Sequence, residues 1–198
     1  MQSVIPIEDL VKKFFDRVKN RKVEIYNEIS LQHELGIYLR GHFGDLKIRF
    51  ERNVKDFKLD KFKLEKKEID IVITSSDLSE RYCAIELKYP RNGQVPETMF
   101  SFCKDIAFLE QLVKSELGFR SAYFIAVAEH AHFYEKKGKT DDIYRFFRTD
   151  EWMTRKIPKP TGTKEAKEKT SITINGRYQV KWLPIADSKK YLLIQVGI

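Results

Sequence analysis

The chain has 198 residues, of which 42% are hydrophobic and 33% charged, and its formal net charge is +8. These values exclude a disordered chain, and no apolar run reaches the roughly 20 residues that a membrane-spanning helix needs. The length suits one compact domain. The positive charge indicates a polyanionic partner such as nucleic acid, although charge alone discriminates weakly.

The cysteines and the N-terminus indicate the compartment. Cys83 and Cys103 are the two cysteines and both lie in apolar surroundings, so we expect buried thiols in a reducing environment. Glu8 and Asp9 follow closely on a few apolar residues, which is not the pattern of a secretion signal. We therefore expect a cytoplasmic protein.

Two amphipathic helices are predicted first. The earlier one covers residues 6–20, with an apolar stripe at helical spacing formed by Leu10, Val11, Phe14, Phe15 and Val18. The later one runs from about residue 24 or 30 to residue 43 and buries Leu31, Leu35 and Leu39, with Gly41 and Gly44 at its end. Glu34 borders that stripe, where a carboxylate is costly unless it is paired.

Residues 45–54 alternate apolar and charged side chains, which predicts a first core strand with Lys47, Arg49 and Glu51 facing outward. Residues 56–67 follow without a clear turn signal and are rich in lysine. A flexible basic flap or a strand that extends the next hairpin both fit this segment. Either would contact a phosphate backbone, and we assign Lys61 and Lys63 as nucleic-acid-binding residues.

Two apolar runs, residues 68–73 and 82–88, flank the polar segment 74–81 and predict a β-hairpin. A turn centred near Asp77 and Leu78 places Asp70 opposite Glu86, and Lys88 lies on the same face because side chains alternate along a strand. Opposed carboxylates repel each other at a Cβ separation of roughly 4.5–5.5 Å. A divalent cation would offset that repulsion, since Mg²⁺ is typically held by one or two carboxylates, water and phosphate oxygens.

The two faces of this hairpin are predicted to differ. One is entirely apolar and suited to a core: Ile69, Ile71, Ile73, Cys83, Ile85 and Leu87. The other carries the charged residues, and its alternative interpretation is a solvated polar face on which Lys88 screens two acids. Val72 and Ala84 count against that alternative, because apolar neighbours indicate that the face is partly covered. Two carboxylates, a lysine and a metal ion at the end of a buried hairpin would suit phosphodiester hydrolysis.

Asp70, followed 16 positions later by Glu86-Leu87-Lys88, with each element inside an apolar run, resembles the PD-(D/E)xK nuclease superfamily, which has the restriction-endonuclease-like fold. The resemblance covers roughly residues 27–127, and Ile69 stands where the family has its name-giving proline. It implies an α/β (α+β) fold with a mixed central sheet flanked by helices, in the core order helix, strand, strand, strand, helix, strand.

The resemblance also implies roles for these residues. Asp70 and Glu86 would ligate Mg²⁺, with Mn²⁺ as an alternative, and the backbone carbonyl of Leu87 would complete the shell. Lys88 would orient or deprotonate the attacking water, and burial would lower its pKa. In many members the helix before the first core strand supplies a further acid, and Glu34 is the matching position. A surface glutamate paired with His33 or Arg40 fits Glu34 equally well.

The loop of residues 89–97 begins directly after Lys88. Arg91, Asn92 and Gln94 would therefore reach a nucleic-acid substrate, unless the loop only covers the sheet edge. Thr98 has the character of an N-cap for a helix to about residue 117, with Gly118 as its stop. Its polar candidates for the site are Lys104, Asp105, Glu110 and Gln111, among which the sequence does not choose.

The remaining elements are a buried strand at 119–128, a short helix within 141–152 and a final strand at 191–196. His130 and His132 would share one strand face, but no cysteine or acidic cluster accompanies them, so we interpret them as an incidental pair. Asn175-Gly176 between alternating segments predicts a second hairpin. We thus expect a nuclease-like core at 1–153, an exposed basic connection at 154–170, and C-terminal strands at 171–198 that extend or cap the core.

The resulting hypothesis is a Mg²⁺-dependent deoxyribonuclease, most simply an endonuclease acting in restriction, phage defence or repair. DNA is favoured over RNA only because the resembled superfamily mostly acts on DNA. A homodimer would supply the two sites needed to cut both strands. The alternatives are a non-catalytic nucleic-acid-binding or scaffold subunit on a nuclease-like fold, and a subunit of a larger defence or repair complex.

Overall fold

The chain contains both helices and strands, which confirms the predicted α/β (α+β) class. The computed structural model describes residues 6–59, 61–91, 94–114, 118–186 and 188–197. The helices are α1 (Ile7–Lys19), α2 (Glu28–Arg40), α3 (Val95–Val113), α4 (Tyr144–Arg148) and α5 (Lys164–Lys169), with 3₁₀ turns at Val54–Phe57 and Ala131–Phe133. The strands are β1 (Lys47–Asn53), β2 (Glu68–Thr74), β3 (Arg81–Lys88), β4 (Phe119–Ala128), β5 (Met153–Pro158), β6 (Ser171–Tyr178), β7 (Trp182–Ala186) and β8 (Lys189–Val196).

Six strands form one mixed sheet in the order β1-β2-β3-β4-β8-β7, in which β3 and β4 are parallel and the other neighbours antiparallel. Helices α1 and α2 pack on one face of this sheet and α3 on the other. The separate pair β5-β6 packs on α3. The order α2, β1, β2, β3, α3, β4 is the order that the resemblance implies.

The hairpin register agrees with the prediction. Ile71 pairs with Ile85 and Val72 with Ala84, so the same register one residue further on sets Asp70 opposite Glu86. Both faces of the hairpin are covered, because Val72 and Ala84 are buried against the α3 side. The solvated-face alternative is therefore wrong.

Ile69 is the exception to the predicted faces. It is buried with Val72 rather than with Ile71. The pairing of β1 with β2 omits Glu51 opposite Asp70, and Glu51 has a φ of +47°, outside the strand region. This irregularity interrupts the alternation of side chains between the two sheet faces one residue after Ile69. A strict two-residue period therefore assigns Ile69 to the wrong face.

Helix α2 is fixed at both its start and its middle. Its N-cap Asn27 accepts a hydrogen bond from Ser30 N at 2.7 Å, and Ser30 Oγ accepts from Asn27 N at 3.0 Å. This reciprocal cap makes Glu28 the first residue of α2. A Cβ on Gly36 would lie 2.1 Å from Phe50 Cζ, so a larger residue there would require the Phe50 ring to move.

Helix α3 begins earlier than predicted. Gln94 is its N-cap and Pro96 lies in its first turn, where the fixed φ of proline suits a helix start. The predicted N-cap, Thr98, lies inside the helix and its Oγ1 donates to Gln94 O at 3.1 Å. Residues 115–117, where the predicted helix ends, lie outside the described residues, and Gly118 has the positive φ of +76° expected of a stop.

The C-terminal third departs most from the sequence expectation. The segment 154–170 is not one exposed connection, because it contains most of β5 and all of α5, and Ile157 is buried. Asn175-Gly176 forms no hairpin and lies inside β6, which pairs with β5. The last strands both extend and cap the core, since β7 and β8 join the main sheet while β5 and β6 cover α3.

Two smaller segments also differ from expectation. The described residues 58–59 and 61–67, which follow the 3₁₀ turn Val54–Phe57, form no strand, so none of them extends the hairpin. His130 and His132 are exposed beside the turn Ala131–Phe133 and do not share a strand face. In the part of the chain that the structure describes, no helix has the length and apolar character needed to cross a membrane.

Candidate functional site

Six charged side chains converge at the carboxyl end of β3. Two come from β3 itself, one from β2, one from α3, one from the loop before β2 and one from the first residue of α2. They are named here the charged cluster: Asp70, Glu86, Lys88, Asp105, Lys66 and Glu28.

Lys66 is the centre of the buried part of the charged cluster. Its Nζ donates to Glu86 Oε2 and lies 3.2 Å from Asp105 Oδ1. The Glu86 side chain is fully buried and that of Asp105 is 4% exposed. A buried carboxylate is costly unless it is paired, so Lys66 compensates both acids.

Lys88 connects the buried acids with the solvent side. Its Nζ lies 3.3 Å from Asp105 Oδ2 and 3.8 Å from Glu28 Oε1, and it donates to Leu87 O at 2.9 Å. Glu28 Oε2 in turn accepts from Tyr89 N at 3.1 Å. The side chain of Lys88, the last residue of β3, is therefore held between α2 and α3.

Asp70 is fixed through both its side chain and its main chain. Its Oδ2 accepts from Leu87 N at 2.7 Å, across the hairpin. Its carbonyl accepts from Gln32 Nε2 at 2.9 Å. Gln32 lies one helical turn after Glu28, so a single face of α2 contacts both strands of the hairpin.

Burial dominates the titration of the acids. It raises the pKa of Glu86 well above its usual value, and the charges of Asp70 and Asp105 raise it further. Burial likewise raises the pKa of Asp105, although Lys88 and Lys66 oppose this. The charged forms of these carboxylates are thus stable only with cations beside them.

The pKa values of Lys66 and Lys88 shift in the direction opposite to the one expected from burial. Burial would lower the pKa of Lys88, but the carboxylates of Asp105, Glu28 and Asp70 outweigh it and raise the pKa. The same balance, with Glu86 as the main opposing charge, raises the pKa of Lys66. The expected fall in the pKa of Lys88 is therefore wrong, because desolvation is not the only contribution there. A protonated Lys88 is suited to orienting a water molecule and not to deprotonating it.

The charged cluster contains oxygen donors of the type that a hard divalent cation binds. Glu86 Oε1 and Asp105 Oδ2 are buried without a hydrogen-bond partner, which is rare for carboxylate oxygens. Oxygen ligands are those that Mg²⁺ prefers, and one or two carboxylates suffice for it. Among the described residues, however, no three His, Cys, Asp or Glu side chains are arranged to hold a metal ion. A cation bound through Glu86 Oε2 would have to displace the ammonium of Lys66.

Glu34 does not join the charged cluster in the structure. Its Oε1 lies 3.5 Å from His33 Nδ1, and no contact with the charged cluster is seen among the described residues. Glu28 is the acid of α2 that contacts Lys88. Six residues separate the two, which corresponds to about 240° around a helix, so they cannot share a face. The pairing with His33 is one of the two interpretations that the sequence left open.

Four of the five other predicted contact residues are among those that the structure describes. Arg91 and Gln94 are exposed in the segment between β3 and α3, and Asn92 lies outside the described residues. Lys61 is exposed, with its Nζ 5.2 Å from the ring centroid of Phe62, and Lys63 lines a cavity beside Lys66.

Three residues of the charged cluster were not assigned from the sequence. Lys66 was one of several lysines in a segment without periodicity. Asp105 was one of four polar candidates on α3. Glu28 could have been found from the Asn27 and Ser30 spacing, which marks it as the first residue of α2.

Comparison with family models, with curated proteins and with solved structures finds no match for this chain. The resemblance to the PD-(D/E)xK superfamily therefore rests on the hairpin residues alone and stays a prediction.

Proposed function

We propose that this chain is a metal-dependent nuclease that hydrolyses phosphodiester bonds, with DNA as the favoured substrate. The observation that carries the proposal is the buried carboxylate oxygen Glu86 Oε1, which has no hydrogen-bond partner, beside Asp70 and the buried ion pair of Asp105 Oδ2 with Lys88. Such an arrangement costs stability, and clustered buried charges with perturbed pKa values are typical of catalytic sites.

The roles proposed for the side chains combine what the resemblance implies with the contacts of Lys88. Asp70 and Glu86 would hold Mg²⁺ or Mn²⁺, with the carbonyl of Leu87 as a further oxygen. The bound ion would supply a Lewis acid for a phosphate oxygen. Lys88, which is protonated and held by Leu87 O and Asp105, would orient the attacking water or the phosphate that it attacks.

Glu28 and Asp105 act through Lys88 and not on the substrate. Their carboxylates keep the Lys88 ammonium charged and fix its direction from two helices. A positioned charge needs no reorganisation when negative charge develops on the phosphate in the transition state.

One observation favours a second candidate function, a non-catalytic nucleic-acid-binding or scaffold subunit. Lys66 already neutralises Glu86 and Asp105 through direct ion pairs, so the charged cluster is compensated without a metal ion. Buried ion-pair networks of this kind also occur as purely structural features. Binding of a divalent cation through Asp70 separates the two candidates.

The test is cleavage of supercoiled plasmid, linear duplex and single strands with Mg²⁺ or Mn²⁺. We expect activity that requires the metal and falls at least about 100-fold in Asp70→Asn and in Lys88→Ala, because each removes a group that contacts the reacting atoms or their cation. Glu34→Gln is the matched control, since its carboxylate pairs with His33, and it should retain activity. Cleavage that persists in Asp70→Asn and Lys88→Ala would contradict the proposal.

Cutting both strands of a duplex requires two sites, so we extend the proposal to a homodimer in the cytoplasm, alone or within a larger defence or repair complex. Sedimentation of the purified protein with and without duplex DNA tests this. A monomer that nicks one strand only would limit the proposal to single-strand cleavage.

A further inference from the structure

A basic cavity lies directly beside the charged cluster. It has a volume of about 360 Å³, within the range of roughly 300–1,000 Å³ that is usual for small-ligand sites. Four lysines and two apolar side chains dominate its lining: Lys55, Lys63, Lys66, Lys67, Phe62 and Leu64. Lys66 is shared, because its Nζ also contacts Glu86 and Asp105.

The charges of this cavity are not balanced from within. No acidic side chain of the described residues lines it. Lys55, Lys63 and Lys67 form no ion pair with any described residue, while nearby Asp56 pairs with Arg52 at 2.8 Å. Like charges in one recess repel each other, so the cavity favours an anionic ligand.

The apolar part of the cavity suits a base or sugar. Phe62 and Leu64 are half-buried and pack against the core under the loop, which leaves part of each side chain at the cavity. Lys61 stands 5.2 Å from the Phe62 ring centroid and adds a further exposed cation at this position. Aromatic side chains flanked by cations are the usual means of binding unpaired nucleotides without sequence preference.

We propose that this cavity binds one unpaired nucleotide next to the scissile phosphate, so that single-stranded nucleic acid is the preferred substrate. This inference rests on the proposed nuclease function and names its substrate class. A recess of this size has room for one base with its sugar and phosphate. In a duplex the same nucleotide would first have to leave the stack, which costs a few kcal/mol.

The test measures binding without catalysis. Fluorescence anisotropy in EDTA compares a labelled single-stranded oligodeoxynucleotide, the same sequence as RNA, and the duplex. We expect at least tenfold tighter binding of a single strand than of the duplex, and the tighter of the two single strands identifies the sugar. Equal or tighter binding of the duplex, or no binding of any of the three, would overturn the inference.

Lysine-to-alanine variants test whether the single strand binds in this cavity. Lys63→Ala with Lys67→Ala should weaken single-strand binding at least tenfold and reduce the slope of log K against log salt by about 1.4, the value for two lost phosphate contacts. Lys13→Ala with Lys19→Ala on α1 is the matched control, because that helix packs on the opposite face of the sheet. An equal loss in both double variants would show general charge attraction and overturn the inference.

Phe62→Leu tests the stacking contribution while keeping an apolar side chain under the loop. We expect at least fivefold weaker binding of the single strand, and unchanged binding would overturn the nucleotide assignment. Failure of the cavity variants to weaken binding, alongside intact Asp70-dependent cleavage, would reject this inference and leave the nuclease proposal standing.

Discussion

Lys66→Met removes the cation that compensates two buried acids. The Lys66 side chain is 28% exposed, whereas Glu86 is fully buried, so the variant leaves an uncompensated charge in the interior. Removal of one partner of a buried ion pair typically costs about 3–5 kcal/mol. Lys88 still lies 3.3 Å from Asp105, and Glu86 has a raised pKa that lets it take up a proton. We therefore expect the lower end, about 3 kcal/mol, and a fall in Tm of about 6–12 °C.

Urea and thermal unfolding at pH 7 without divalent metal measure this cost. Lys63→Met is the matched control, because it changes the same residue type in the same loop and pairs with no described acid. It should stay within about 0.5 kcal/mol of the wild type. The double variant Lys66→Met with Glu86→Gln should recover most of the loss, since it removes the uncompensated charge itself. If Lys66→Met is as stable as the wild type, Lys66 is not the counter-ion of Glu86 and the reasoning is refuted.

Added Mg²⁺ extends the same experiment. Because Lys66→Met vacates the position beside Glu86, a cation should bind there without displacing an ammonium. Mg²⁺ at 100 times its Kd would return about 2.7 kcal/mol to the variant, and a smaller amount to the wild type. Equal stabilisation of both proteins, or of neither, would contradict the idea that Lys66 stands where a metal ion binds.

Three further changes test the fold around the site. The Glu110 carboxylate accepts four hydrogen bonds from β6, and Glu110→Gln replaces one of its two oxygens with an amide nitrogen that cannot accept. The free energy of unfolding in urea should fall by about 3 kcal/mol, whereas a fall under 0.5 kcal/mol would show that other contacts hold β6. Gly36→Ala should cost about 1–3 kcal/mol by the same method, because its Cβ overlaps Phe50, and a neutral result would contradict that close approach. The hydrogen bond from Tyr89 lowers the pKa of Glu129. The ionised Glu129 carboxylate therefore stabilises the folded protein above the usual glutamate pKa of about 4.3, and this stabilisation is lost as the pH falls through the lowered pKa. Glu129→Gln should therefore lose less stability than the wild type between pH 7 and pH 3, and an equal loss would refute the shift.

The hairpin could be predicted from the sequence because its signals are local. Two apolar runs and a polar connection set the register, and that register alone sets Asp70 opposite Glu86. Helices α1 and α2 were equally accessible, since their apolar stripes repeat at helical spacing.

The errors come from contacts between distant segments. Asn175-Gly176 has the strongest local hairpin signal, but Glu110 of α3 accepts hydrogen bonds from both backbone N–H groups and holds them at an irregularity within β6. Lys66 follows no periodic pattern, so only the three-dimensional structure brings it to Glu86. The pairing of Glu34 with His33 was one of the two interpretations open at this position, and the sequence did not choose between it and a place in the metal site.

The assignment of Asp70 and Glu86 as ligands of a divalent cation is the step on which the proposed nuclease activity depends most. Crystals soaked in Mn²⁺ test it directly through the anomalous difference density. We expect a peak within about 2.5 Å of carboxylate oxygens of both residues, with Lys66 Nζ moved away from Glu86. No peak at these carboxylates, with Lys66 still paired to Glu86, would contradict the metal site and favour the non-catalytic binding subunit.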